Sequence, residues 1–129
     1  ALAVHNEHPL AKKKTLKFAQ TLAFEHVGLS PHTAVYRLLQ KAAAQDGKTI
    51  VYRSVVSNFD AAFRVVAANL GVSVVPIQVG ATYQRMFPVT LIPLTDTWAK
   101  RNFAICFSET VKHQPAVMRL LEFLQAKRS

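Results

Sequence analysis

Apolar positions recur along this chain at two different periods, and each change of period marks a new element. The clearest stretch spans residues 50–76. A β-branched run, Ile50-Val51-Tyr52, continues through Val55-Val56 and breaks at Ser57-Asn58. Phe59, Ala62, Phe63, Val66 and Leu70 then follow at steps of three and four, the spacing of one buried helix face. Asn69-Leu70-Gly71 predicts the stop, with Gly71 in the left-handed conformation that closes a helix. Residues 72–75 form a second short apolar run, ended by Pro76. Strand, helix and strand in so short a span predict a βαβ unit with parallel strands and a right-handed crossover.

The same reading extends both ways. Leu2-Ala3-Val4 has the character of a strand, and Pro9 biases His8 away from helix, so residues 1–11 read as an extended crossing segment. Residues 15–20 predict a short helix with Leu16 and Ala19 inward, and residues 22–29 a strand. Ser30-Pro31 is a helix-start signal, since Ser caps free N–H groups and Pro suits the first helical position. Ala34, Val35, Leu38, Leu39 and Ala42 then line one face of a helix ending near Asp46-Gly47, and residues 49–56 form the next strand. Further on, 77–86 predict a short helix despite Gly80. Residues 89–94 are extended but flanked or interrupted by Pro88 and Pro93, which assigns them to a sheet edge or takes them out of the sheet. Residues 102–107 read as a strand, and Pro115 opens a final helix with Val117, Leu120, Leu121 and Leu124 on one face. The alternation β-α-β-α-β predicts an α/β fold with a parallel sheet. Residues 12–90 make one α/β lobe; residues 1–11 and 91–129 are flanks whose apolar faces need a partner surface.

Composition narrows the class. The 129 residues are half apolar, enough for a core without metal or disulfide. Cys106 is the only cysteine, which excludes a disulfide scaffold and suits a reducing compartment. No apolar run reaches the roughly 20 residues of a membrane span, and the amino-terminal segment lacks the order of a signal peptide. The formal charge is +9, yet the sixteen Lys and Arg are scattered and Lys12-Lys13-Lys14 is their only run. That charge permits an acidic partner without supplying a nucleic-acid reading motif.

Little in the chain argues for catalysis. The seven carboxylates fall in no paired motif. Ser73 lacks the second Gly of a nucleophile elbow and reads as a strand serine, and Cys106 between Ile105 and Phe107 reads as a small core residue. His5 and His8 have no third metal ligand nearby, and there is no phosphate-binding Gly-rich loop. Binding fares better. In a parallel sheet, ligands sit outside the carboxyl ends of the strands. The strand over 22–29 delivers Ser30, His32 and Thr33 to that edge; the strand over 49–56 delivers Ser57, Asn58 and Phe59 beside them. Both are helix N-termini, where unpaired N–H groups and the helix dipole favour an anion. They can form a carboxylate cradle with Phe59 as an apolar wall. Ordinary capping accounts for the same residues, and the two readings are compatible.

Taken together, His8-Pro9-Leu10-Ala11, the Ser57-Asn58-Phe59 turn, the run from Val65-Val66-Ala67 to Val74-Val75-Pro76, Ile92-Pro93-Leu94 and the helix after Pro115 resemble the effector-binding region of LysR-type transcriptional regulators. The resemblance covers nearly the whole chain; Asn69 stands where the family usually has Gly. It implies a Rossmann-like sheet of the periplasmic-binding-protein type, with two subdomains joined by crossing strands and a small effector, often a carboxylate, held between them. On that view residues 12–90 are the second subdomain, and 1–7 and 95–127 are returning parts of the first. The first subdomain's opening half and a DNA-reading helix-turn-helix would lie outside the chain. The resemblance also implies that Ser30, His32, Thr33, Ser57, Asn58, Phe59 and Gln78 form one side of the effector cleft. It further implies a cytoplasmic homo-oligomer that reaches DNA only through the absent domain, needs no cofactor and is not an enzyme. The flanking strand and last helix are expected to pack on another copy or to lack order. The alternative is a periplasmic-type solute-binding protein of the same architecture.

Overall fold

A computed structural model of the chain describes residues 1–102 and 104–127. Five strands carry the lobe: β1 (Leu2–His5), β2 (His26–Leu29), β3 (Tyr52–Val56), β4 (Ser73–Val74) and β5 (Val89–Ile92). Five α-helices accompany them: α1 (Phe18–Thr21), α2 (Ala34–Gln45), α3 (Phe59–Ala67), α4 (Ile77–Tyr83) and α5 (Pro115–Ala126). The strands are arranged as β2-β3 and β4-β1-β5. The two sets meet at a parallel bridge between His26 and Val72, where Val27 N donates to Val72 O at 2.8 Å and Val72 N to Glu25 O at 3.0 Å.

The β3-α3-β4 unit is present and its strands are parallel, but β2 lies between them. β1 is the strand that runs against the others, pairing antiparallel with both β4 and β5. Although it reads as part of a flank, it occupies the middle of its sheet. Its alternation explains why: Ala3 enters the core beneath α3, while Leu2 and Val4 enter the cluster on the opposite face with Leu16, Val72 and Ile92. A strand buried on both faces needs apolar side chains on both. β5 takes the edge that its flanking prolines demanded.

On one face, α3 packs Ala62, Phe63 and Val66 against Ala3, Val27, Val75 and Val89. On the other, α2 brings Leu39, Ala42 and Ala43 onto Phe18 and Ile50. Gly80 lets α4 approach β5, because a Cβ there would stand 2.7 Å from the Leu91 side chain. The end of α3 corrects the expectation for Gly71. Asn69 is the left-handed residue (φ 56°), and Asn69 N and Leu70 N close the helix on Val66 O and Val65 O. Leu70 lies beyond the last turn and is 45% exposed. Gly71 serves close packing instead: a Cβ would meet Val27 Cγ2 at 3.0 Å and Glu25 O at 3.1 Å.

Other expectations are also corrected. The predicted helix over 15–20 begins at Phe18, leaving Leu16 in an extended bridge with Leu94. The strand predicted over 22–29 starts only at His26, because Leu22 caps α1 and Phe24 N turns back to Thr21 O. No strand forms over residues 102 and 104–107, which have no ladder partner; Phe103 lies outside the described residues. Cys106 is exposed rather than a core residue. The predicted inner face of α5 buries only Leu121, while Leu120 is 56% exposed. No helix among the described residues is long and apolar enough to cross a membrane.

One buried titratable group sits beside α1. His26 Nε2 is 3.1 Å from Thr21 O and 3.2 Å from Thr21 Oγ1, and that hydroxyl itself donates to Phe18 O at 2.8 Å. A carbonyl accepts only, so Nε2 carries the proton of a neutral ring. Burial pushes the His26 pKa below its ordinary 6.5, and the bond to the Thr21 carbonyl only partly opposes this. The unfolded chain therefore takes up a proton first as pH falls. Stability is expected to decline below pH 6.5, by at most about 1.4 kcal/mol per pH unit for this one group. Urea unfolding of the protein and of a His26→Gln variant at pH 7.5 and 5.5 checks this: the variant should lose part of the pH dependence.

Candidate functional site

β2 and β3 are parallel neighbours, with Leu29 opposite Val56. The chain therefore leaves the sheet at Ser30 and at Ser57 side by side, each time on its way into a helix. Thr33, rather than Ser30, is the cap of α2: its Oγ1 accepts from Tyr36 N at 3.2 Å and donates to Ser30 O at 2.8 Å. Three residues separate the end of β2 from that cap, so Ser30-Pro31-His32 form a turn at the edge. Asn58 caps α3, with Oδ1 accepting from Ala61 N at 2.9 Å. Ser57 is exposed, and among the described residues its hydroxyl accepts a long hydrogen bond from its neighbour, Asn58 Nδ2, at 3.5 Å.

These contacts divide the predicted residues by duty. Thr33 and Asn58 serve the helices, while Ser57 and the exposed His32 make no comparable structural bond among the described residues. Phe59 is partly buried and packs against the core beneath α3, which limits it as a free wall. The unbonded N–H groups of both first turns point out of this edge. Asp60 stands in the first turn of α3, where it would repel an anion, but Arg64 holds its carboxylate at 2.8 Å.

Gln78 lies elsewhere on the edge, at the start of α4, and lines a cleft of about 260 Å³. The cleft opens outside the carboxyl ends of β4 and β5. Val35, Leu38 and Leu39 of α2 form one side; Pro76, Pro93 and Trp98 contribute to the others, and Arg101 also borders it. None of the other residues predicted for the cradle lines it. Sequence reading missed this cleft because Val35 and Leu38 have the spacing of ordinary core residues. The one available signal was Trp98, the only tryptophan, a few residues beyond Pro93.

The segment after β5 is fastened to the lobe. Leu16 N donates to Pro93 O at 3.1 Å, Thr95 N to Leu16 O at 2.9 Å, and Phe18 N to Asp96 Oδ2 at 2.7 Å. Asp96, read from sequence as one of several dispersed acids, thus caps the start of α1 from a distance. Trp98 packs edge-on against Phe18, ring centroids 5.4 Å apart. His5 and His8 each use Nδ1 to receive a nearby backbone N–H. No group of three or more His, Cys, Asp or Glu among the described residues is placed to hold a metal. Ser73, buried in β4, donates to Val27 O at 2.9 Å as a structural hydroxyl.

Residues 1–129 match the family described as LysR substrate binding domain. No curated protein sequence matches the chain. Among solved structures, the effector binding domain of QuiR in complex with shikimate superposes with a TM-score of 0.70 at 17% identity, over 95% of this chain and 57% of that one. The BenM effector binding domain with its effector benzoate gives 0.69 at 20% identity, over 97% and 60%. The regulatory domain of CcmR from Synechocystis PCC6803, in complex with 2-PG, gives 0.75 at 16% identity, again over 97% and 60%. The chain thus spans less than two thirds of each of these domains.

Proposed function

The chain belongs to the LysR substrate-binding-domain family, and on that premise we propose that it senses a small anionic effector to control DNA binding by a helix-turn-helix domain encoded upstream. The observation that supports this is the paired exit of β2 and β3 into two capped helix N-termini, with Ser57 exposed and nearly unbonded. Hydroxyls and free N–H groups there suit a carboxylate. Ser30, His32, Thr33, Ser57, Asn58 and Phe59 form the lobe's side of the site, and Gln78 extends it toward the cleft.

In this reading residues 12–90 form the effector-binding subdomain, crossed and flanked by 1–11 and 91–129, and the rest of the other subdomain closes the site. An effector with different affinity for two poses of the subdomains biases the DNA-bound arms of a homo-oligomer. Coupling of about 1–3 kcal/mol is sufficient. The protein then works in the cytoplasm, needs no cofactor and performs no chemistry on its ligand. The solved domains resembling it hold shikimate, benzoate and 2-PG, which is the size class proposed here.

Two substitutions separate binding from capping. Ser57→Ala is expected to weaken a responsive carboxylate at least fivefold in calorimetric titration of the intact regulator, with stability changed by no more than about 0.5 kcal/mol. Asn58→Ala is expected to cost about 1 kcal/mol, because it removes the cap of α3. Unchanged affinity in Ser57→Ala would remove this serine from the site. Mobility-shift titration of the regulator's DNA with and without that carboxylate tests the control itself.

A further inference from the structure

A separate depression lies at the end of the sheet opposite Ser30 and Ser57. Glu25 precedes β2, Arg53 is in the first half of β3, Asn69 and Leu70 lead toward β4, and His8 follows the antiparallel β1. With Phe24 they line a space of about 140 Å³. Its floor is set by the backbone. Val72 N donates to Glu25 O at 3.0 Å, and Gly71 permits that approach, since a Cβ there would stand 3.1 Å from the same oxygen. His8 is held by Leu10 N, which donates to its Nδ1 at 3.1 Å, and by the Phe24 ring, centroids 4.8 Å apart. Burial and the neighbouring His5 keep the His8 pKa below its ordinary 6.5. The ring is therefore uncharged at neutral pH, with its proton on Nε2.

The remaining polar groups balance in charge. Arg53 Nη1 donates to Glu25 Oε2 at 2.8 Å, with both side chains half-exposed. Glu25 Oε1 and the other Arg53 donors make no further hydrogen bond among the described residues. Asn69, left-handed at φ 56°, adds a carboxamide that a glycine in this turn would lack. A plain anion on Arg53 would stand beside the Glu25 carboxylate, and a plain cation on Glu25 beside the guanidinium. A molecule bearing both charges finds a partner for each. Size narrows the class further: at about 30 Å³ per water the space holds about five waters, and so a molecule of about five to seven non-hydrogen atoms. We therefore propose that this depression binds a compact zwitterion, its ammonium and carboxylate joined through one or two carbons. The ammonium takes Glu25 Oε1, the carboxylate takes the free Arg53 donors and the Nε2–H of His8, and the short apolar body rests on Phe24 and Leu70. Asn69 supplies a further donor. The site is distinct from the Ser30–Ser57 edge and does not rest on effector sensing there. Its occupant ties the end of β1 to β2, β3 and the turn before β4, and stabilises the lobe by mass action.

Titration of the 129-residue chain with alanine, followed in its backbone amide spectrum, tests the proposal. Saturable shifts are expected at Glu25, Leu70 and Gly71. Propionate and ethylamine, each carrying one of the two charges, should bind roughly tenfold more weakly, the factor that one lost charge-assisted bond implies. Glu25→Gln and Arg53→Gln should each weaken alanine to a similar degree, with thermal midpoints close to the original because the pair is half-exposed. Asn69→Gly, which keeps the left-handed turn and removes only the carboxamide, should weaken alanine as well and leaves the ion pair in place. Propionate binding as tightly as alanine, or alanine affinity unchanged in both charge variants, overturns the site. Ser57→Ala should leave alanine binding intact. Shifts confined to residues 30–33 and 57–59 that vanish in Ser57→Ala would place the zwitterion at the other edge, overturning this proposal and leaving that reading standing.

Discussion

Deleting residues 1–7 is expected to leave a chain that does not fold, even though the deleted piece is only one short strand. β1 pairs along its length with β5, from Leu2 opposite Ile92 to His5 opposite Val89, and on its other side with Ser73 and Val74. Leu2, Ala3 and Val4 are wholly buried. Burying a side chain such as Leu2 or Val4 contributes about 1.5–3 kcal/mol. Without β1, β4 and β5 each face an empty strand position, and both clusters are opened. Domains of this size are stable by only about 5–15 kcal/mol, so loss of the strand removes most or all of the margin. Far-UV circular dichroism and urea titration of residues 8–129 measure this. A cooperative transition at the original midpoint would show that 12–90 is autonomous without the crossing strand. Removal of α5, whose Leu120, Phe123 and Leu124 are exposed, should affect that transition far less.

The second large effect is expected at Phe63. This ring is 1% exposed, in a cluster with Ala3, Val27, Val66, Val75 and Val89. It also stacks on Tyr83 of α4, centroids 4.5 Å apart and planes within 9°. Truncation to Ala leaves a cavity bounded by elements that cannot all close on it: the sheet is held by its ladder, and α4 already touches β5 at Gly80. Phe63→Ala is expected to cost about 3–5 kcal/mol, the range for large aromatic truncations in cores. Phe63→Leu, which keeps most of the volume, should cost less than half as much. Denaturant midpoints at constant slope provide the comparison. A loss below about 1 kcal/mol in the Ala variant would mean that α3 and α4 collapse freely onto the sheet. Because α3 also carries Asn58 at its start, ligand affinity should fall together with stability in this variant, unlike in Ser57→Ala.

Some of this was written in local sequence. Periodicity alone identified α2 and α3, the strands on either side of α3 and the α/β class, because burying one face of a helix or strand imposes its period on neighbouring residues. Pro88 and Pro93 pointed to an edge strand or a departure from the sheet, since proline has no N–H to donate to a ladder, and β5 lies at the edge. Asn58 read as a cap, because its bond to Ala61 N spans three residues. The family resemblance reached further, and the match over residues 1–129 bears it out.

Everything that depended on partners distant in sequence was decided by the tertiary structure. That β1 is central to its sheet follows from contacts with residues some 70–90 positions away; nothing in Leu2-Ala3-Val4 distinguishes a central strand from a crossing one. Asn69, not Gly71, takes the left-handed conformation, while Gly71 sits where a Cβ would stand 3.0 Å from the Val27 side chain of β2. Asp96 became a cap and Trp98 a wall only when the segment after β5 folded back on Phe18. The cleft exists because Val35 and Leu38, patterned as core, reach the end of the sheet where packing stops. Periodicity records which side of an element is apolar, whereas what covers that side is set by long-range packing, which leaves no period in the chain.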